Sequence, residues 1–312
     1  MKERNVSNYQ AYTIEMPLHL DQDTLNTIRQ LVDACEAEEP APVRISWNML
    51  QARPGLAPLD FCCYLDGRLV GYLFMDHYDP KERETIILVH PAYRRRGIAH
   101  ALLVAAHEEC RRAGIERIIL ICERRAVAGK AFAEHFAARF DFAEHEMALG
   151  VFQPRQAPAS GLSVRLADFA DLEALVSIHA SSFEEDEDGV RQRLIRHMQE
   201  QSGRTYIATL PAEGSEPAEP VGTFRLTSED HETGIYGFAI APAYQRHGYG
   251  RQMLEEAIRI ARAADPQEAV MLDVDVDNTR AFNLYSSCGF QVRATYDYYT
   301  LSVGEEKATD HG

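Results

Sequence analysis

A displacement of 151 residues carries one half of this chain onto the other. Val70-Gly71 recurs as Val221-Gly222, and Pro91-Ala92-Tyr93 recurs as Pro242-Ala243-Tyr244. Arg95 and Gly97 return as Arg246 and Gly248, and Leu102-Leu103 stands opposite Met253-Leu254. An interval of that size is one ordinary domain, so the 312 residues read as a tandem of two similar domains. The expected boundaries are 1–152 for the first domain, 153–161 for a linker and 162–302 for the second domain. Residues 303–312 read as a polar, disordered tail.

Both halves follow one order of elements. In the first, helical spacing runs over 23–38 and a short helix or turn over 45–51. A hairpin over 60–74 turns at Asp66-Gly67, a strand covers 85–89, and a helix follows to about 113. A strand at 118–121, a helix at 130–139 and a strand at 144–149 close that half. The second half has a strand at 163–166, helices at 168–183 and 188–201, and strands at 204–210 and 221–226. An apolar strand at 235–240 leads into a helix with Met253, Leu254, Ala257, Ile258 and Ala261 on one face. A strand at 268–276, a helix at 278–287 and a strand at 291–301 follow. The fold class is α/β, with a mixed sheet of the α+β kind in each domain.

Composition narrows the classes. At 46% hydrophobic and 26% charged residues, with no apolar stretch near the length of a membrane span, the chain reads as a cytoplasmic globular protein. Residues 1–10 lack the apolar centre of a signal segment. Six cysteines without metal-ligand spacing suggest reduced thiols and no bound metal. Most of the net charge of −16 falls in the second half, which argues against nucleic acid and for tolerance of cationic ligands.

The chemistry concentrates after the strand that ends at Ile240. Gln245-Arg246-His247-Gly248-Tyr249-Gly250-Arg251 forms a glycine-containing turn opening a helix, and unpaired amides at a helix start suit a diphosphate. A dinucleotide fingerprint would need a glycine where Met253 stands, and no Gly-Lys-Ser/Thr follows for a nucleotide loop.

Residues 245–250 resemble the Gln/Arg-x-x-Gly-x-Gly/Ala acyl-CoA signature of GNAT superfamily N-acetyltransferases. Asn278-Thr279-Arg280-Ala281-Phe282-Asn283-Leu284-Tyr285, with Gly289-Phe290 beyond, is similar to a second segment of that superfamily. The two-domain layout resembles the mycothiol acetyltransferase type. The resemblance implies an acetyl-CoA-dependent N-acetyltransferase acting on a primary amine, in a small molecule or at a peptide N-terminus. It further implies backbone amides of 246–251 on the diphosphate, Ile240 along the pantetheine arm and Asn278 beside that arm. Tyr285 would be the general acid to the departing thiolate.

Three carboxylates are candidates for the base: Asp273 and Asp275, which share a strand face with Asp277, and Glu232 before the preceding strand. The acidic run 184–188 either steers a cationic amine or caps the next helix. In the first half, Arg94-Arg95-Arg96-Gly97-Ile98-Ala99 keeps the phosphate signature, and a CoA 3′-phosphate accounts for its arginines. Aligning Phe142 with Phe290 sets Ala137 opposite Tyr285 and Lys130 opposite Asn278, so the first domain reads as a degenerate copy. The competing class is a non-catalytic acyl-CoA-binding regulator of the same fold.

Overall fold

The computed structural model describes residues 12–39, 42–77, 79–152, 154, 161–199, 203–211 and 218–304. The expectations for residues 1–10, for nearly all of the linker and tail, and for most of the loop at 211–220 lie outside them. The chain divides into two units, one of Met1–Ala143 with Tyr296–Gly312 and one of Glu144–Thr295.

The first unit contains β1 (Thr13–Glu15), α1 (Gln22–Glu38), α2 (Trp47–Gln51), β2 (Asp60–Leu65), β3 (Arg68–Met75), β4 (Glu82–Val89), α3 (Ile98–Arg112), β5 (Arg117–Glu123), α4 (Val127–His135) and the start of β6 (Arg139–Leu149). Asp66 and Gly67 both take positive φ, 49° and 76°, the geometry that a two-residue hairpin needs. Asp21 caps α1 through the Thr24 amide, and Leu25, Ile28, Leu31, Val32 and Cys35 line its buried stripe. That stripe packs on one sheet face with Tyr72, Phe74 and Leu88, while α3 packs on the other with Val70 and Leu73.

The second unit contains the rest of β6, then β7 (Ser163–Leu166), α5 (Leu172–Phe183), α6 (Glu187–Gln199), β8 (Gly203–Leu210), β9 (Glu219–Glu229), β10 (Glu232–Ile240), α7 (Tyr249–Ala264), β11 (Ala269–Asp275), α8 (Thr279–Ser287) and the first part of β12 (Phe290–Ser302). Its strands run in the order β12-β6-β11-β10-β9-β8-β7. Residues 296–302 of β12 pair antiparallel with β5 in the first unit, whose order is β1-β2-β3-β4-β5-β12-β6. Each unit is thus a mixed sheet with one parallel pair, covered by helices, as the repeat led us to expect.

Two features recur in both units and position the sites. The repeated Val-Gly pair is explained by close helix approach. A Cβ on Gly71 would lie 2.5 Å from Ile98 Cγ2, and one on Gly222 would lie 2.6 Å from Ile240 Cδ1 and 2.8 Å from Met253 Sδ. The parallel pair is also cut short in both. Residues 82–85 pair with 117–120, and 232–235 pair with 269–272, with no parallel pairing beyond. The carboxyl ends of these strands are left apart, and crevices at such ends are where open α/β sheets bind ligands.

One feature does not recur. In β10, Tyr236 faces Arg225 and Ala239 faces Thr223, so Gly237 and Phe238 together oppose a single residue, Phe224. This is a β-bulge, with Gly237 at φ 54°. The matching β3–β4 ladder runs from Gly71↔Val89 to Met75↔Thr85 without a shift.

Candidate active site

The turn after each parallel strand has the same backbone. A 3-10 turn at Pro242–Tyr244 leads through extended Gln245 to Arg246 at φ 67° and Gly248 at φ 84°, and Gly248 caps α7. In the first unit Arg95 at φ 63° and Gly97 at φ 79° repeat the pattern ahead of α3. Left-handed residues spaced this way turn successive N–H groups to one side, a concavity suited to an anion. A Cβ on Gly97 or Gly248 would meet nothing within 4 Å, so these glycines serve the backbone angle and leave the space ahead of the amides open.

A latch to the strand end recurs too. Gln245 Nε2 donates to the Ile240 carbonyl at 2.9 Å, and Arg94 Nε donates to the matching Val89 carbonyl at 3.2 Å. Arg280 in turn donates to Gln245 Oε1 at 2.6 Å, and Arg94 reaches Glu39 at 2.6 Å. The side chains of Arg94 and Arg251 are therefore committed elsewhere; Arg251 turns to the Ser287 carbonyl and Cys288 Sγ at the end of α8. Arg96 folds over the Tyr93 ring, and the rings of His247 and Tyr249 stack. What remains common to both turns is the row of amides.

Tyr285 lies on α8, 6% exposed, with its ring edge-on to Phe238 of the bulge and to Phe290. Burial pushes its phenol up to about 12. Asn278 caps α8, its Oδ1 accepting from the Ala281 amide at 3.1 Å. The structure brings Ile240, Tyr249 of the turn and Tyr285 into one unit's core cluster and its margin.

The carboxylate candidates are spread along two strands. Glu232 begins β10, eight residues from Ile240, and is held by Arg293, which also binds Glu146. At about 3.3 Å per residue that is the far end of the strand. Asp275 accepts from the Asp277 amide in the turn before α8. Asp273 is half-buried opposite Glu146 of β6. The acidic run is used structurally: Asp186 accepts from the Gly189 amide at the start of α6, Asp188 pairs with Arg191, and Glu185 pairs with Arg193.

The helix ends also correct the match between units. α8 runs from its cap Asn278 to Cys288, followed by Gly289 at φ 104°; α4 runs from its cap Ala126 to Phe136, followed by Ala137 at φ 56°. Ala133 therefore stands where Tyr285 does, and Ala126 where Asn278 does, in place of the expected Ala137 and Lys130. Ala137 answers to Gly289 instead. The first unit thus lacks the phenol, as read, but through a different residue. It keeps a groove of about 950 Å³ along β4 and β5, lined by Val89, Arg95, Gly97, Ala99, Cys122 and Tyr296 among others.

The profile described as the Acetyltransferase (GNAT) family matches residues 25–142 and again 172–290. The chain belongs to the GNAT acetyltransferase family. It is an acetyl-CoA-dependent N-acetyltransferase built as a tandem. A mycothiol acetyltransferase of Catenulispora acidiphila is 25% identical over 321 residues, covering 92% of this chain and 98% of that one. Two solved structures share the fold. A GCN5-related N-acetyltransferase from Sphaerobacter thermophilus has a TM-score of 0.75 at 17% identity, covering 94% of this chain and 96% of its own. A tandem GNAT protein from the clavulanic acid biosynthesis pathway has a TM-score of 0.72 at 18% identity, covering 95% and 100%.

Acetyl-CoA as co-substrate follows from the GNAT fold, and the open rows of amides fit a diphosphate. Among the described residues no group of three or more His, Cys, Asp or Glu is placed to hold a metal, and no helix is long and apolar enough to cross a membrane.

Proposed function

We propose that the second unit carries the transfer and that its acceptor is a primary amine of a small molecule. The observation that supports this is the pairing of a bulged β10 with a buried Tyr285, neither of which has a counterpart in the first unit. When bound, acetyl-CoA supplies an activated thioester. The amides of 246–251 hold its diphosphate and Ile240 lines its arm. The bulge at Gly237 and Phe238, beyond the last parallel pair, is where backbone N–H donors would act on a carbonyl oxygen. Tyr285 holds a proton at its hydroxyl for the departing sulfur, an easier leaving group once protonated. Asn278 positions α8 through its cap. The likeness to a mycothiol acetyltransferase over most of both chains supports a small-molecule acceptor.

The deciding experiment measures free thiol released from acetyl-CoA with a panel of primary amines. Wild type should turn over, and Tyr285→Phe should lose most of kcat while keeping its KM for acetyl-CoA. Equal turnover by that variant at all pH values would remove Tyr285 from the mechanism.

The first unit supports a second role, acyl-CoA binding without transfer, on the strength of its groove and its Arg95–Gly97 turn. Calorimetric titration with CoA should then give two sites per chain, one of which disappears when Gly97→Asp sets a carboxylate among the amides. A single site in wild type would overturn this role.

A further inference from the structure

A second cavity, of about 270 Å³, lies in the second unit under α5 and α6 on the face of β8, β9 and β10. Apart from Gly237 at the bulge, none of the residues assigned above to the cofactor lines it. Two of its polar atoms, His179 Nδ1 and Thr205 Oγ1, are buried and have no hydrogen-bond partner. The residues that carry them are only 7% and 6% exposed. Orphaned buried polar atoms are costly, and natural interiors tolerate few without a ligand or other use.

The fold itself does not require this hole. In the first unit, 151 residues earlier, the places of His179, Thr223 and Arg225 are taken by Ile28, Tyr72 and Phe74, all buried in one cluster, with the Tyr72 hydroxyl satisfied by Asp60. The second unit replaces that packing with imidazole, hydroxyl and guanidinium, and opens a volume. The bulge also sets a residue without a side chain against that imidazole. A Cβ on Gly237 would stand 2.9 Å from His179 Cε1, so only a glycine at the bulge admits this ring. The cavity therefore reaches the bulge beside which, on the function proposed above, the acyl group would lie.

The charge of the lining selects among ligands. Among the described residues that line it there is one carboxylate, Glu185, and it is already paired with Arg193. Arg225, 8% exposed, donates to the His197 carbonyl at 2.7 Å and brings a positive charge to the floor. Burial first, then the neighbouring arginines, keep both His179 and His197 from taking up a proton. The hydroxyl and the neutral imidazole can each accept or donate, so charge decides: with Glu185 paired and Arg225 beside them, the field disfavours an ammonium and favours an oxygen anion, to which Thr205 Oγ1 and His179 Nδ1 can donate.

We propose that this cavity holds the non-reacting end of the acceptor and that this end is a carboxylate, taken by Thr205 Oγ1 and His179 Nδ1 beside Arg225. The acceptor class is then an amino acid or a similar amine bearing a carboxylate, with its amine directed toward the bulge. This rests on the second unit being the transferase, and it replaces the cationic acceptor that the acidic half of the sequence suggested.

The test uses the full chain and acetyl-CoA with four series of primary amines matched in length, ending in carboxylate, hydroxyl, methyl or a second ammonium. At the best length the carboxylate member should exceed the other three at least tenfold in kcat/KM, chiefly through KM. Thr205→Val and His179→Phe should erase that preference, and Thr205→Ser should retain it. Equal or better rates with the hydroxyl, methyl or ammonium members, or a preference that survives both variants, would overturn the proposal.

A second arm needs no turnover: the ring nitrogen signals of His179 are followed by NMR as the best-length amino carboxylate is added without acetyl-CoA. They should shift and saturate. Unmoved signals would overturn the carboxylate site even if transfer is observed. If no amine is acetylated while these signals do saturate, the transferase assignment fails and the site stands.

Discussion

The ring of Phe238, displaced by the bulge in β10, meets the ring of Tyr285 on α8 edge to face, with centroids 6.0 Å apart and planes at 78°. The bulge thus shapes the strand end and also packs against the candidate acid. Tyr285 is pushed up to about 12 by burial, so its phenol stays protonated across the working range. Tyr285→Phe should lower kcat about 10²–10⁴-fold, the usual worth of a positioned acid, with little change in melting temperature because the ring contacts persist. The wild-type kcat profile should show no alkaline fall below about pH 11 from this group. Steady-state kinetics from pH 6 to 10.5 check both statements.

Glycines 237 and 248 should fail differently when changed to alanine. Gly248, at φ 84°, has nothing within 4 Å of a new Cβ, so the cost is the left-handed backbone alone, about 1–2 kcal/mol. Its effect on activity should appear as a raised KM for acetyl-CoA. Gly237, at φ 54°, adds a contact with the His179 ring at 2.9 Å, so the ring must move. Gly237→Ala should therefore raise the KM for the amine and leave that for acetyl-CoA near wild type. Bisubstrate kinetics on the two variants separate these outcomes.

The sequence made the tandem legible because the interval of 151 holds at both the Val-Gly pair and the Pro-Ala-Tyr turn. That constancy also hid the bulge. The β9–β10 connection is one residue shorter than its counterpart, and the extra residue in β10 restores the interval, so nothing is out of step at either marker. The turn at 245–251 was legible because the role proposed for it lies in the backbone, which glycines and a following helix announce. The carboxylates were harder. Alternation on β11 identifies a face but not what stands across it, and Glu232 is claimed by Arg293 from a strand 61 residues away. Nor could spacing locate the α4–α8 match, since the helix caps, not the aromatic residues, are what correspond. The second cavity was invisible for a related reason: His179 on an apolar helix face looks like any core histidine until its partners are known.

Where the second unit has its cavity, the first has a closed polar cluster. Arg53 grips Asp60 through two bonds of 2.7 Å, and Tyr72 donates to the same carboxylate at 2.5 Å, all three residues being at least 94% buried. Arg53 also donates to the Met75 carbonyl at 2.9 Å, which ties β3 to this cluster. Asp60→Ala leaves a buried guanidinium without its counterion, and should cost about 3–5 kcal/mol. Tyr72→Phe removes only one donor and should cost about 1–2 kcal/mol. Urea unfolding at pH 7.5 should rank the two in that order, and a smaller loss for Asp60→Ala than for Tyr72→Phe would mean that the ion pair is not what closes this core.

His179 and His197 should make the second unit sensitive to mild acid. Burial leads the causes at both, with Arg193 lowering His179 further and Arg225, Arg196 and Arg193 lowering His197; only Glu185, beside His179, opposes. His179 falls to about 4 and His197 to about 3, from an ordinary value of 6.5. Folded values below unfolded ones mean that the unfolded chain takes up these protons first. The stability from keeping both rings neutral is whole above about pH 7 and is lost as pH falls from 6.5 toward 4 and 3. At about 1.4 kcal/mol per pH unit of displacement, His179 alone carries roughly 3 kcal/mol of this loss. His179→Phe changes packing at every pH, so the informative quantity is the difference in urea midpoint between pH 7.5 and pH 5. That difference should shrink in His179→Phe and shrink again when His197→Gln is added. If it stays at the wild-type value in the double variant, the acid sensitivity comes from carboxylates and the two imidazoles are not held neutral by the fold.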